Sequence, residues 1–189
     1  GSTDTHNGTP GHVDSEQFQG HVGIVDASPE GRLGDGTVTH DTLENNPGGL
    51  AAVWAEENSR DSIFDAIRRR ETYATSGPRI ELRFFGAPEF PADLCNQENR
   101  IALAYDEGVP MGAQTDNSTS TFFVQAIADK APLQQIQIIK GWLDADGETH
   151  QEVVTVAGDA NSDASVETDT CTQTGYGYEQ LCTVWTDPA

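Results

Sequence analysis

Basic residues are scarce in this chain, with 10 Lys and Arg against 31 Asp and Glu over 189 residues and a formal net charge of -21. Binding along a nucleic-acid backbone needs clustered Lys and Arg to displace counterions, so the composition argues against that partner. No apolar run is long enough to span a bilayer, and no signal peptide opens the chain. Cysteine is limited to Cys95, Cys171 and Cys182, with no Cys-x-x-Cys pair and no Cys/His spacing of a zinc site. Hydrophobic residues make up 35%, low for a globular protein, yet three Trp, four Tyr and seven Phe remain to anchor packing. These figures describe a folded chain with long polar loops.

The acidity suits a solvated surface in a salty setting, with divalent-cation binding as the second reading. The positive charge is local by contrast. Arg60, Arg68, Arg69, Arg70, Arg79 and Arg83 fall within one short stretch, where an anionic group can be held or where the arginines complement a helix dipole. Cys171 and Cys182 flank a Gly/Tyr loop able to turn back on itself, which predicts a disulfide between them. That pairing leaves Cys95 free or paired elsewhere, and it favours a periplasmic or secreted protein.

Residues 8–49 are rich in Gly, Pro, Asp and His without periodicity, and read as a long excursion. A short apolar run, Leu50 to Ala55, suits a buried strand that reaches a charged edge at Glu56 and Glu57. A helix follows. Ser59 is placed to cap it, Asp61 lies in its first turn, Ile63, Phe64, Ala66 and Ile67 form an apolar stripe, and Arg68 to Arg70 close it before Glu71. From Ile80 the pattern changes to strand-like segments, namely Ile80–Phe85, Arg100–Tyr105, Thr121–Ala128, Ile136–Trp142 and Glu152–Ala157. They predict an antiparallel sandwich over residues 80–189, with Phe84, Phe122, Val124, Ile136, Ile138 and Val154 turned inward. Leu143 to Glu148 matches the start of an EF-hand loop, but its strand-like flanks and the missing closing Glu make it a hairpin turn, with Gly147 at positive φ. The Asp/Ser/Ala-rich segment 158–169 predicts a mobile loop.

The sharpest chemical signal is Ser2-Thr3-Asp4-Thr5-His6-Asn7. In an extended segment residues two apart project to one side, so the carboxylate of Asp4 and the imidazole of His6 can converge on one cation or one activated water. The pair is common by chance, so its surroundings matter. It is followed by a Gly/Pro loop, by Gly-Gly-Leu-Ala-Ala-Val-Trp-Ala-Glu-Glu-Asn, by the helix, and by Arg-Arg-Arg-Glu-Thr-Tyr-Ala-Thr-Ser-Gly-Pro-Arg. This order resembles the C-terminal part of a bacterial family catalogued as domain of unknown function 3604, itself similar to the PHP (polymerase and histidinol phosphatase) metal-dependent hydrolases. The resemblance is specific over residues 1 to about 86 and looser to the end.

The resemblance implies an α/β plus β protein, in which residues 1–79 are the C-terminal remnant of a PHP-like barrel and residues 80–189 an antiparallel β-sandwich. It also implies that Asp4 and His6 are the last metal-binding motif and that the segment Thr72 to Pro78 leaves the barrel after its closing helix. A divalent metal (Zn, Mn or Fe) would activate water against a phosphoester or carboxyl-type ester of a small-molecule substrate. Glu56 or Glu57 would be an acid/base group and Arg79 an anion-binding one, although helix capping, solvation and ion pairing are the commoner fates of such side chains. The other ligands of such enzymes would lie upstream, in the remaining N-terminal part of the barrel. A hydrolytic metal needs about three protein ligands, so the chain alone is expected to be inactive, with weak or no metal binding. The alternative is a non-catalytic β-sandwich module in which Asp4 and His6 are incidental.

Overall fold

The computed structural model describes residues 49–115, 119–167, 169–170 and 172–188. The chain divides into two compact units, residues 1–80 and 81–189.

In the first unit the expected strand and helix form where the sequence pattern sets them, but the strand is shorter than the run Leu50 to Ala55 and, contrary to expectation, none of its residues is buried. Strand β1 (Ala51–Val53) leads to helix α1 (Arg60–Arg69), which is followed by strand β2 (Thr72–Ala74). Ser59 is extended and its hydroxyl accepts from the Ser62 N–H, satisfying one of the donors that a helix start leaves unpaired. Arg70 ends the helix in the left-handed region at φ 63°, and its N–H reaches back to Ala66 and Ile67 carbonyls. The chain then reverses, so β1 and β2 pair antiparallel, with Ala51 opposite Ala74 and Val53 opposite Thr72. Two further backbone bonds extend the ladder, Trp54 N–H to Glu71 O (3.0 Å) and Thr75 N–H to Leu50 O (2.9 Å). Gly49 allows this approach, because a Cβ there would stand 2.8 Å from the Thr75 carbonyl oxygen. Ala66 is fully buried, whereas Phe64 and Ile67 of the same stripe are 60% and 55% exposed.

The second unit is mainly antiparallel sheet. Strands β3 (Glu81–Ala87), β4 (Val109–Pro110), β5 (Thr121–Ile127) and β10 (Gln180–Thr186) form a four-stranded sheet in the order β10-β5-β3-β4. The long hairpin of β6 (Gln135–Leu143) and β7 (Thr149–Gly158) and the short one of β8 (Ser165–Glu167) and β9 (Thr172–Thr174) complete the described strands. Two expectations are corrected here. Arg100–Tyr105 is not a strand but part of helix α2 (Arg100–Glu107), and part of the segment 158–169 is ordered as β8 by pairing with β9. In α2, Ile101, Ala104 and Tyr105 recur at helical spacing and Ile101, Leu103 and Tyr105 at strand spacing, so a run this short does not fix the period.

That helix explains which face of the sheet is the deeper one. The cover made by α2 and the 3-10 turn Leu94–Asn96 seals a cluster of Phe85, Ala87, Phe90, Leu94, Ala104 and Phe123. Phe85, Phe123 and Leu94 are the largest fully buried side chains. Phe85 meets Tyr105 edge-on at 4.8 Å between ring centroids, a favoured aromatic geometry. The buried amide of Gln125 accepts from Arg100 of α2, so this polar group is satisfied from the same helix, and the buried Thr121 hydroxyl lies 3.4 Å from both the Pro88 carbonyl and the Thr186 hydroxyl. Residues one position along point to the opposite face. There Phe84, Phe122 and Trp185 stack in a row, with centroids 5.6 and 5.8 Å apart, and are only half-buried. Of the residues expected inside, Val124 and Ile136 are buried, whereas Phe84, Phe122, Ile138 and Val154 are half-buried.

The disulfide expectation is also corrected, because Cys182 bonds Cys95, 87 residues away in sequence. Cys182 belongs to β10, opposite Gln125 of β5, and the 3-10 turn brings the Cys95 Cα to 5.8 Å from its own. Membership of the strand, which the spacing of the cysteines does not reveal, decides the partner. Cys171 lies outside the described residues.

At the tip of the long hairpin the structure bears out the turn, with Gly147 at φ +84°. Asp144 organises it. One carboxylate oxygen accepts the N–H groups of Asp146 (2.9 Å) and Glu148 (3.0 Å), and the other accepts from His150 Nε2 at 2.7 Å. His150 in turn stacks on Trp142 at 5.3 Å, with Lys140 Nζ 5.4 Å from the centre of the indole ring. The His150 bond, followed by those from the turn N–H groups, holds the Asp144 carboxyl below its ordinary value of 3.8.

Three measurements test these points. A non-reduced digest should link the peptide carrying Cys95 to the one carrying Cys182, and Cys95→Ser should lower stability by about 2–4 kcal/mol through the loss of a long closed loop. Phe123→Ala should cost about 3–5 kcal/mol in chemical denaturation, more than Phe84→Ala on the half-buried face. A depressed carboxyl contributes stability that is present above the unfolded value and lost as pH falls through the folded one. The Asp144 carboxyl should therefore titrate below 3.8 by NMR, and His150→Ala should move it back up.

Candidate functional site

The first unit carries the residues singled out from the sequence that fall within the described range. Asp4 and His6 lie outside the described residues. Glu56 and Glu57 sit in the turn that leaves β1, and both are exposed. Their backbone serves the helix start: the Glu57 carbonyl accepts the Ser59 N–H at 2.9 Å, and the Glu57 N–H donates to Ser62 Oγ at 3.3 Å. Arg79 is exposed and follows the buried Gly77 and half-buried Pro78. Glu56 and Glu57 thus share one turn at the C-terminal end of a strand, the position from which α/β proteins aim side chains at a ligand.

A third acid escapes the sequence reading. Glu71 is only 4% exposed, directly after the αL residue Arg70, and its carboxylate meets Arg69 Nη2 at 3.4 Å. Its position is fixed from both sides by backbone, with its N–H on Ala66 O and its carbonyl on Trp54 N–H. Trp54, directly after β1, and Tyr73 of β2 stack at 6.0 Å beside this ladder. The signal for Glu71 is an acid closing an Arg-Arg-Arg run at a helix end. A buried carboxylate needs such a partner, and the preceding arginines supply one.

Chemically, the turn offers two solvated carboxylates and the helix end a buried one held by an arginine. No group of three or more His, Cys, Asp or Glu side chains among the described residues can hold a metal ion. In the second unit, a cleft of about 350 Å³ at the end of α2 is bounded by Asp106 and Glu107, again two carboxylates without a third ligand. The described residues alone therefore do not fit a catalytic metal. None of the helices among the described residues is long and apolar enough to cross a membrane.

Neither a curated protein nor a solved structure matches the chain. A family model does match, over residues 1–189, and its description is "Protein of unknown function (DUF3604)". The chain therefore belongs to the DUF3604 family, as the order of motifs around Asp4, His6 and the Arg-Arg-Arg-Glu-Thr-Tyr segment led us to expect.

Proposed function

We propose that this chain is the C-terminal part of a PHP-like metal-dependent hydrolase, in which Asp4 and His6 complete a metal site begun by upstream strands. The observation that carries the reading is the Asp-x-His spacing, which in an extended backbone sets a carboxylate and an imidazole on one side. Two features of the first unit support it. The stripe of α1 leaves Phe64 and Ile67 exposed beside a buried Ala66, a half-covered face that suits a helix belonging to a larger α/β layer. The antiparallel pairing of β2 with β1 suits a segment that leaves a barrel rather than one of its parallel strands.

A divalent metal held by Asp4, His6 and further ligands would supply a water activated for attack on a phosphoester or carboxyl-type ester of a small molecule. Glu56 or Glu57, solvated at the end of β1, would exchange protons with that water or the leaving group. Arg79 would bind the substrate anion. The disulfide between Cys95 and Cys182 supports a periplasmic or secreted setting, since such bonds persist where thiols are not kept reduced.

A second reading is favoured by a different observation. The second unit has its own sealed core and its own disulfide, as an independent binding module would. Metal analysis of the longer protein separates the two. Stoichiometric Zn, Mn or Fe that is lost in both Asp4→Ala and His6→Ala supports the hydrolase, whereas a metal-free protein unchanged by either substitution supports the module. On the present chain, calorimetric titration with Zn²⁺ and Mn²⁺ should show only weak binding. Submicromolar affinity abolished by His6→Ala would show that two residues here already belong to a complete site, and the incomplete-site argument would fail.

A further inference from the structure

We propose that the loop Gly175-Tyr176-Gly177 presents a platform for one uncharged sugar ring, at a cavity in the β-rich unit. The cavity holds about 220 Å³ and lies between the short hairpin β8–β9 and the segment that precedes β6. That volume takes a single ring-sized group rather than a drug-sized ligand.

The loop is pinned on both sides of the tyrosine. Gly175 has φ +75°, and a Cβ there would stand 2.4 Å from the Asp163 carbonyl oxygen. At Gly177 a Cβ would meet the Leu133 carbonyl oxygen at 2.6 Å and the Pro132 Cβ at 2.8 Å. Only glycine lets the backbone approach so closely at these two points. Directly after Gly177 the chain is clamped by reciprocal backbone bonds between Leu133 and Tyr178, both 2.8 Å. Between the two pinned glycines the Tyr176 residue is 69% exposed, so the fold fixes its backbone and covers little of its ring. A phenol held this way offers a large contact face at small entropic cost on binding.

The chemistry of the lining selects the ligand. No charged side chain lines the cavity, although the chain carries a net charge of -21. The polar residues of the lining are Gln134, Gln173, Ser165 and Thr174; on the β8–β9 hairpin Ser165 and Thr174, whose hydroxyls meet at 2.7 Å, share one face, and Val166 and Gln173 the other. Those groups donate and accept without favouring either sign of charge. Pro132 and Val166 add apolar surface beside them. A pyranose matches each feature: its C–H face packs on the electron-rich face of a phenol, and its hydroxyls pair with amides and hydroxyls. Phosphorylated and nucleotide ligands do not match, because no Lys or Arg lines the cavity to receive a phosphate.

Saturation-transfer NMR on the whole chain, with methyl α- and methyl β-D-glucopyranoside and methyl β-D-galactopyranoside as probes, tests the site. At least one should bind with a dissociation constant in the millimolar range, as a one-ring contact allows. Tyr176→Ala should weaken it at least about 10-fold, while Tyr176→Phe, which keeps the ring face, should retain it. Glucuronate should bind more weakly than the neutral sugars, repelled by the acidic surface. Tyr176 is exposed, so both variants should fold with unchanged circular dichroism. Absence of transfer from every neutral pyranoside at about 10 mM would overturn the proposal. So would equal binding by the wild type and Tyr176→Ala, or a proline-rich peptide that binds more tightly than any sugar.

Discussion

The bond between Cys95 and Cys182 fastens the helical cover of the main sheet to the sheet's last strand, and the rest of the second unit is arranged around that closure. The four strands alone would have one face open to water, since β5 and β3 carry large side chains on both sides. Segment 88–108 lies between β3 and β4 in sequence and must fold back over Phe85 and Phe123 to seal them. A cross-link that spans 87 residues restricts how far this cover can separate from β10 in the unfolded chain, which favours the closed arrangement entropically. The hydrogen bond from Arg100 to Gln125 and the aromatic contact of Tyr105 with Phe85 then set the register of α2 on the sheet. Both depend on the cover being held in place.

The sequence was informative wherever local chemistry decides structure. Ser59 as cap, the end of α1 before Glu71, the strand before Glu56, and the turn at Gly147 were all legible, because each depends on residues within a few positions. The antiparallel, β-rich character of the second part was legible from alternation. What was not legible depends on distant partners. Arg100–Tyr105 fits either period, and only its packing on Phe85 and Phe123 makes it a helix. Once that segment is read as a strand, the face bearing Phe84 and Phe122 looks like the core, although the other face is the sealed one. The cysteine error has the same origin, for nearness along the chain predicted Cys171 as the partner of Cys182, whereas the cover over the sheet supplies Cys95. Of the candidate site, Glu56, Glu57 and Arg79 lie at exposed turns, and the buried Glu71 gave too slight a signal to be noticed.

Charge is distributed unevenly between these features. Arg68, Arg69 and Arg70 close α1, where positive side chains complement the helix C-terminus, and Arg69 also balances the buried Glu71. In the second unit, Lys140 pairs with Asp187 at 2.7 Å, between the long hairpin and the residue that follows β10. Among the described residues these cations are thus used within the structure, and Glu71 is the one buried acid. An uncharged cavity stands apart from this pattern, because an acidic lining would repel anions and attract cations regardless of shape. Recognition there has to come from hydrogen-bond geometry and the face of Tyr176.

The hydrolase reading and the sugar-ring platform rest on separate residues, and this gives them a definite logical relation. The metal reading stands on Asp4 and His6, supported by the half-covered stripe of α1; the platform stands on two glycines, a tyrosine and an uncharged lining in the other unit. Either can hold without the other. The two sets share no residue, so a substitution in one leaves the chemistry of the other untouched. A one-ring site is weak because a small contact must offset the freedom that the ligand loses on binding, so its affinity depends on the pinned Tyr176 face rather than on the metal motif.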